Sequence, residues 1–195
     1  MTPSITTNDG TSATTVSPPT DSPAGHPRRW AALAVACLAV FVTVLDGTIV
    51  NVALPSLSAE LGATTRQLQW IVDAYLLVFT GLLLAAGGLG DKFGRKRALM
   101  IGLVVFGATS AYAGSADTAG ALIAGRALMG IGAALIFPAT LAIITDAFRD
   151  PSERAKAIGI WSAVSGVAVA AGPITGGWLL EHFWWGSVFV AMVPV

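Results

Sequence analysis

Apolar residues recur along this chain in runs of helix length, separated by short polar knots. From residue 28 onward the runs cover about 30–54, 68–90, 97–115, 119–144 and 156–180, and a sixth begins near Trp184. A bilayer crossing takes roughly 20 residues of helix. The pattern therefore predicts an all-α membrane protein with five complete spans and a sixth that stops at Val195 after about a dozen residues. A sixth run of that length implies that the chain is a piece of a longer protein.

Residues 1–27 have a different texture, with Thr, Ser, Pro, Asp and Gly dominating and no apolar periodicity. Such a segment cannot bury enough apolar surface to offset its ordering entropy, so it is expected to be a disordered tail. It does not read as a secretory leader, because the first basic residue is Arg28 and the apolar run after Trp30 is too long for a signal core.

Composition adds little to the class but removes alternatives. Apolar residues make up 54% of the chain and charged residues 11%, against roughly 25% charged in a soluble domain. Net charge is zero, so nothing points to nucleic acid. The single cysteine, Cys37, lies in an apolar run and reads as a small hydrophobe. No Cys/His spacing fits a metal site, no Gly-Lys-Ser/Thr phosphate loop occurs, and no cofactor or enzymatic chemistry is expected.

Charge placement orients the bundle. With a cytoplasmic N-terminus, the inner segments hold Arg28, Arg29, Lys92, Arg95, Lys96, Arg97, Arg149, Arg154 and Lys156, nine of the eleven basic residues. Only Arg66 falls in an outer loop, and Arg126 lies within a span. This is the positive-inside pattern of a multi-pass cell-membrane protein. The outer connections, near Ser56 to Arg66, Ser115 to Thr118 and Glu181 to Phe183, are short, which predicts that consecutive helices are antiparallel neighbours in one bundle.

Several positions in the spans carry more than apolarity. Asp46, in LDGTIVNVALP (45–55), places a carboxylate at bilayer depth, where an ionisable group is a functional-site hypothesis by default. It could equally cap a local break at Gly47 and Thr48. Arg126 stays charged at any accessible pH, so it must find an acid, a carbonyl or water, or snorkel to the outer surface. Asp73, in WIVDAYLL near the outer end of the second span, reads equally as a cation-attracting residue of a vestibule and as a hydrated interfacial one. Tryptophans 70, 161, 178, 184 and 185 read as an interfacial belt. In the fifth span Gly159, Ala163, Gly166, Ala170, Pro173 and Gly177 recur at intervals of three and four, which predicts a face bare enough for close helix packing.

The knot between the second and third runs, GLGDKFGRKRAL (88–99), is the most specific stretch. Gly87 and Gly88 are expected to let the second helix approach a neighbour closely, and Gly94 to permit a tight reversal. Asp91 and Arg95 are four apart, and Lys96 and Arg97 fall at head-group depth.

These residues resemble the major facilitator superfamily, whose second-to-third loop carries Gly-x-Leu-x-Asp-x-x-Gly-Arg-Lys/Arg; Gly88 through Lys96 match it without a gap. The resemblance implies the N-terminal six-helix half of a transporter. Its loop would latch the two halves together, with Asp91 facing the missing C-terminal half and Arg95 pairing with an acid at the end of the fourth span, Asp146. Arg126 with Gly130, Gly132 and Ala133 resembles the superfamily motif whose arginine steers proton transfer. Gly172, Pro173, Gly176 and Gly177, with Gly159 upstream, resemble the antiporter motif of the fifth helix, although Ala168 replaces its middle glycine. The string around Asp46 resembles the drug:proton antiporters, especially the fourteen-helix branch, and implies proton coupling or cation recognition there. The expected function is proton-coupled efflux of drug-like or cationic small molecules by alternating access, with lipid, protons, the substrate and the other half as partners. Import of a small metabolite in the same superfamily, or a non-transporting membrane sensor, are the alternatives.

Overall fold

The computed structural model describes residues 28–193. The expected disordered tail falls outside them. Six helices follow one another: α1 Arg29–Leu61, α2 Thr65–Phe93, α3 Arg95–Gly114, α4 Ala119–Ala147, α5 Pro151–His182 and the single turn α6 Ser187–Val190. Among the described residues five helices, α1 to α5, are long and apolar enough to cross a bilayer.

Local chemistry sets the helix limits. Thr64 opens α2 with a capping box, its hydroxyl accepting from the Gln67 amide while the Gln67 side chain accepts from the Thr64 amide. Thr118 caps α4 in the same sense, and Asp150 caps α5 ahead of Pro151 at the first helical position. Gly62 closes α1 at φ +60°, and Gly94 joins α2 to α3 at φ +100°, conformations that favour glycine. Helix α1 has 33 residues and α5 has 32, or roughly 50 Å each at 1.5 Å per residue. Both outrun the apolar runs that announced them, because helix continues beyond the bilayer wherever caps and packing allow it.

Packing order differs from chain order. Helix α4 is the hub, covered by α2 on one side and α3 on the other, while α1 packs mainly on α5 and secondarily on α4. Consecutive helices are close partners only at α3–α4; the pairs α1–α2, α2–α3 and α4–α5 touch lightly. The expectation of consecutive neighbours is corrected accordingly. Short loops limit how far apart two helix ends can be, but side-chain size decides which faces join.

Glycines on α4 show how that decision is made. A Cβ on Gly130 would fall 2.7 Å from the Tyr75 carbonyl of α2, and one on Gly132 would fall 2.8 Å from the Phe106 amide of α3. Backbones approach this closely only where side chains are absent, the usual device when lipid offers no hydrophobic drive for association. The second helix thus makes its close approach at Gly130 of its partner. Gly87 makes only ordinary contact with Pro138, and nothing lies within 4 Å of a Cβ placed on Gly88.

Ion pairs and ring contacts bring the basic segments to one end of the bundle. Arg95 pairs with Asp146, Arg29 with Glu153, and Trp30 packs edge-on against Phe148 at 5.3 Å. The opposite end is tied by α6, where Ser110 donates to the Phe189 carbonyl at 2.8 Å and Gly186 lies against Gly114. Many large apolar side chains point outward between these ends, Leu84 at 90% exposure and Ile174 at 75% among them. An apolar exterior of this extent fits burial in lipid and against another protein surface rather than in water.

Candidate functional site

The deepest polar feature of the bundle is an ion pair. Arg126 of α4 donates through Nη1 to Asp46 Oδ2 of α1 at 2.6 Å, with the two side chains 1% and 0% exposed. Arg126 Nε donates to the Ile71 carbonyl of α2 at 3.1 Å, and its guanidinium carbon stands 4.3 Å from the centre of the Tyr75 ring. Tyr75 in turn donates its hydroxyl proton to the Thr43 carbonyl of α1 at 3.3 Å. Three helices therefore converge on one guanidinium.

This geometry separates the readings that the sequence left open. Helix α1 runs unbroken past Gly47 and Thr48, so Asp46 caps no local break and turns to α4 instead. Arg126 does not snorkel: it finds both an acid and a carbonyl. Asp46 Oδ1, by contrast, is buried with no hydrogen-bond partner among the described residues. An unpaired carboxylate oxygen at this depth is costly, and it is the atom of the pair with capacity to take a proton or a second donor.

The basic turn forms a separate cluster at the bundle end. Arg95 donates through Nε to Asp91 at 3.2 Å and through Nη1 to the Ala142 carbonyl at 3.1 Å, and it also pairs with Asp146. Asp91 and Asp146 are more than half exposed. Gly94, at φ +100°, makes the reversal that folds Arg95 back over α4. Gly88 and Lys96 lie exposed on the flanks of this turn.

The fifth helix divides its small residues between two faces. Ala168, Gly172 and Gly176, four apart, are buried. A Cβ on Gly172 would overlap the Thr48 side chain, and one on Gly176 would come within 2.8 Å of Ile49. This row, rather than the one running from Gly159 through Gly177, carries the close contact with α1. Gly159, Gly166 and Gly177 have nothing within 4 Å of an added Cβ, and Pro173 is exposed. The row containing Ala168 seats α5 two residues from Asp46.

Asp73 is half-buried and makes no ion pair among the described residues. Two contributors escaped the sequence reading. Tyr75 carried a usable signal, since a tyrosine hydroxyl within an apolar helix needs a partner; the Ile71 carbonyl carried none. Trp161 adds a contact that its identity alone did not announce. It lies well inside α5, packed against Phe137 of α4 at 5.2 Å. No group of three or more His, Cys, Asp or Glu able to hold a metal occurs among the described residues.

Comparison with known proteins places this arrangement. The chain is 47% identical over 168 residues to the methyl viologen resistance protein SmvA of Salmonella typhimurium, covering 86% of this chain and 34% of that protein. It is 42% identical over 187 residues to the multidrug efflux pump LfrA of Mycolicibacterium smegmatis, covering 96% and 36%. The chain thus spans about a third of the length of these relatives. In fold it is similar to the crystal structure of a bacterial homologue of the human lysosomal transporter Spinster, in an inward-facing and unoccupied conformation. The TM-score is 0.70 at 21% identity, over 86% of this chain and 40% of that one. The family profile described as Major Facilitator Superfamily matches residues 36–195. With that match over most of its length and five bilayer-length helices, α4 among them as the hub, the chain belongs to the Major Facilitator Superfamily as an N-terminal transmembrane half.

Proposed function

We propose that this chain supplies the N-terminal half of a proton-coupled exporter of drug-like or cationic compounds, working in the cell membrane with its N-terminus cytoplasmic. The observation that carries the reading is the buried Asp46–Arg126 pair with its one unsatisfied carboxylate oxygen. The names of the two relatives above, a methyl viologen resistance protein and a multidrug efflux pump, supply the direction and the cargo class. The gathering of basic residues at the end that carries Arg29, Arg95 and Glu153 supports the orientation.

Mechanistically, a proton arriving at Asp46 neutralises the carboxylate and removes the charge that holds Arg126. Arg126 then depends on the Ile71 carbonyl and the Tyr75 ring, so its contact with α1 weakens while its contacts with α2 persist. That is a two-position element of the kind alternating access needs, with cargo binding near the midplane between two halves. Cationic cargo and proton compete because each offsets the same negative charge. Asp91 and Arg95 hold the bundle end against the C-terminal half in this scheme, and the fourteen-helix branch is the favoured relative architecture.

The test is flux. In the full-length protein in vesicles, Asp46→Asn, which has the shape and neutral charge of the protonated carboxyl, abolishes efflux of methyl viologen driven by a proton gradient, and thermal unfolding of the same variant separates lost coupling from lost fold. Proton-driven efflux at the wild-type rate in that variant removes Asp46 from the coupling step.

A further inference from the structure

Arg126 meets one oxygen of Asp46 where an arginine and a carboxylate commonly join through two. The usual arrangement is a fork, with parallel N–H donors on both oxygens. Here Nη1 donates to Oδ2 at 2.6 Å, Nε turns away to the Ile71 carbonyl at 3.1 Å, and Oδ1 has no hydrogen-bond partner among the described residues. The cause lies on α2.

Ile71 and Tyr75 are four apart, so they stand one above the other on the same face of α2. The guanidinium carbon of Arg126 lies over the Tyr75 ring, 4.3 Å from its centre. A guanidinium is planar and stacks on ring faces, an attraction that grows where water is excluded, and Tyr75 is only 4% exposed. The ring is itself braced on three sides. Its hydroxyl donates at 3.3 Å to the carbonyl of Thr43, which precedes Asp46 by one turn of α1. Its face stacks on Phe79 with planes 9° apart. Its backbone is held against α4, where a Cβ on Gly130 would meet the Tyr75 carbonyl at 2.7 Å. The ring cannot follow Arg126 without breaking these contacts, so Arg126 follows the ring.

Resting on the export reading, in which Asp46 must stay open to a proton, we infer that Tyr75 is a positioning residue for the ion pair. Its ring fixes the plane of the guanidinium and limits Arg126 to one carboxylate oxygen, which leaves Oδ1 as the atom that receives the proton. Tyr75 acts through Arg126 and does not itself carry the proton.

Dicyclohexylcarbodiimide tests this in the full-length protein in nanodiscs. The reagent enters apolar sites and adds to a protonated carboxyl: an oxygen bonds to the carbodiimide carbon and the acid proton passes to its nitrogen. Mass spectrometry of the peptide containing Asp46 reads the labelling rate at one fixed pH, with Asp46→Asn as the blank. Tyr75→Leu removes the ring and lets Arg126 close on both oxygens, so labelling is expected to fall about tenfold, the scale of one desolvated contact between a cation and a ring. Tyr75→Phe keeps the ring and should label within about twofold of wild type. A merely structural role for Tyr75 predicts the opposite sign, since a loosened bundle exposes Asp46 and labels faster. If Tyr75→Leu does not fold, Tyr75→Met, which fills the gap with a flexible chain and lacks the ring face, decides by the same rate. Labelling of Tyr75→Leu or Tyr75→Met at or above the wild-type rate, labelling of Tyr75→Phe as slow as theirs, or a wild-type Asp46 that takes no label would overturn the assignment. A set of variants that labels as expected, in a protein that drives no efflux of methyl viologen under a proton gradient, removes the export reading alone.

Discussion

Arginine meets aspartate in two settings in this bundle. At the centre, Arg126 and Asp46 are sealed from solvent and contributed by helices far apart in sequence. At the end, Arg95 reaches Asp91 on its own turn and Asp146 at the close of α4, with all three side chains at least a third exposed. The chemistry is the same and the energetics are not. A buried pair is costly to form and far more costly to halve, whereas an exposed pair contributes up to about 1 kcal/mol. In the function proposed above, the central pair is the two-state element that a proton switches, and the end cluster is the contact that forms and releases.

The largest effect is expected from removing one central partner. Arg126→Ala leaves Asp46 buried and unpaired, at a cost of about 3–5 kcal/mol. Thermal unfolding of the detergent-solubilised full-length protein should therefore show a large drop in Tm. Adding Asp46→Asn to Arg126→Ala should recover most of that drop, because the orphaned charge is gone. A single variant that melts like wild type would erase the distinction between the two settings.

A smaller loss should follow from pushing α1 aside next to the pair. A Cβ on Gly172 overlaps Thr48, two residues from Asp46, and crowds the Ile49 backbone amide at 3.2 Å. Overpacking of this kind costs about 1–3 kcal/mol. Gly172→Ala should lower Tm, whereas Gly159→Ala, on the open face of the same helix, should leave it unchanged or raise it slightly. Equal effects at both positions would show that the Gly172 contact does not set the spacing of α1 and α5.

The two settings were unequally legible in the sequence. Asp91 and Arg95 could be joined in advance because they stand four apart on one stretch of chain, whereas Asp146, far along the chain, was joined to them only through the resemblance to the superfamily loop. Arg126 announced that it needed a partner, yet 80 positions separate it from Asp46, and no one-dimensional pattern states which face of α1 meets which face of α4. The helices were visible because bilayer length and apolarity are properties of contiguous residues. Their neighbours were not, because Gly130, Gly132 and Gly172 choose partners through backbone approach in three dimensions. The same limit hid the contact of Trp161 of α5 with Phe137 of α4, which no one-dimensional pattern states.

The finest test of the contrast is a pair of double-mutant cycles run at two salt concentrations. For Arg95 and Asp146, truncating each to Ala singly and together should give a coupling energy below about 1 kcal/mol, as exposed pairs do. That coupling should shrink between 0.1 M and 1 M salt, as the screening length falls from about 10 Å to about 3 Å. Arg95→Ala alone should cost more than the coupling energy, because the guanidinium also donates to the Ala142 carbonyl and Asp91. The Asp46–Arg126 cycle, read by the same unfolding assay, should give a larger coupling that does not respond to salt, since ions do not enter a pair with 0% and 1% exposure. A salt-sensitive central coupling would mean that water and ions reach Asp46 in the resting protein, and the distinction between a sealed and an exposed pair would fall.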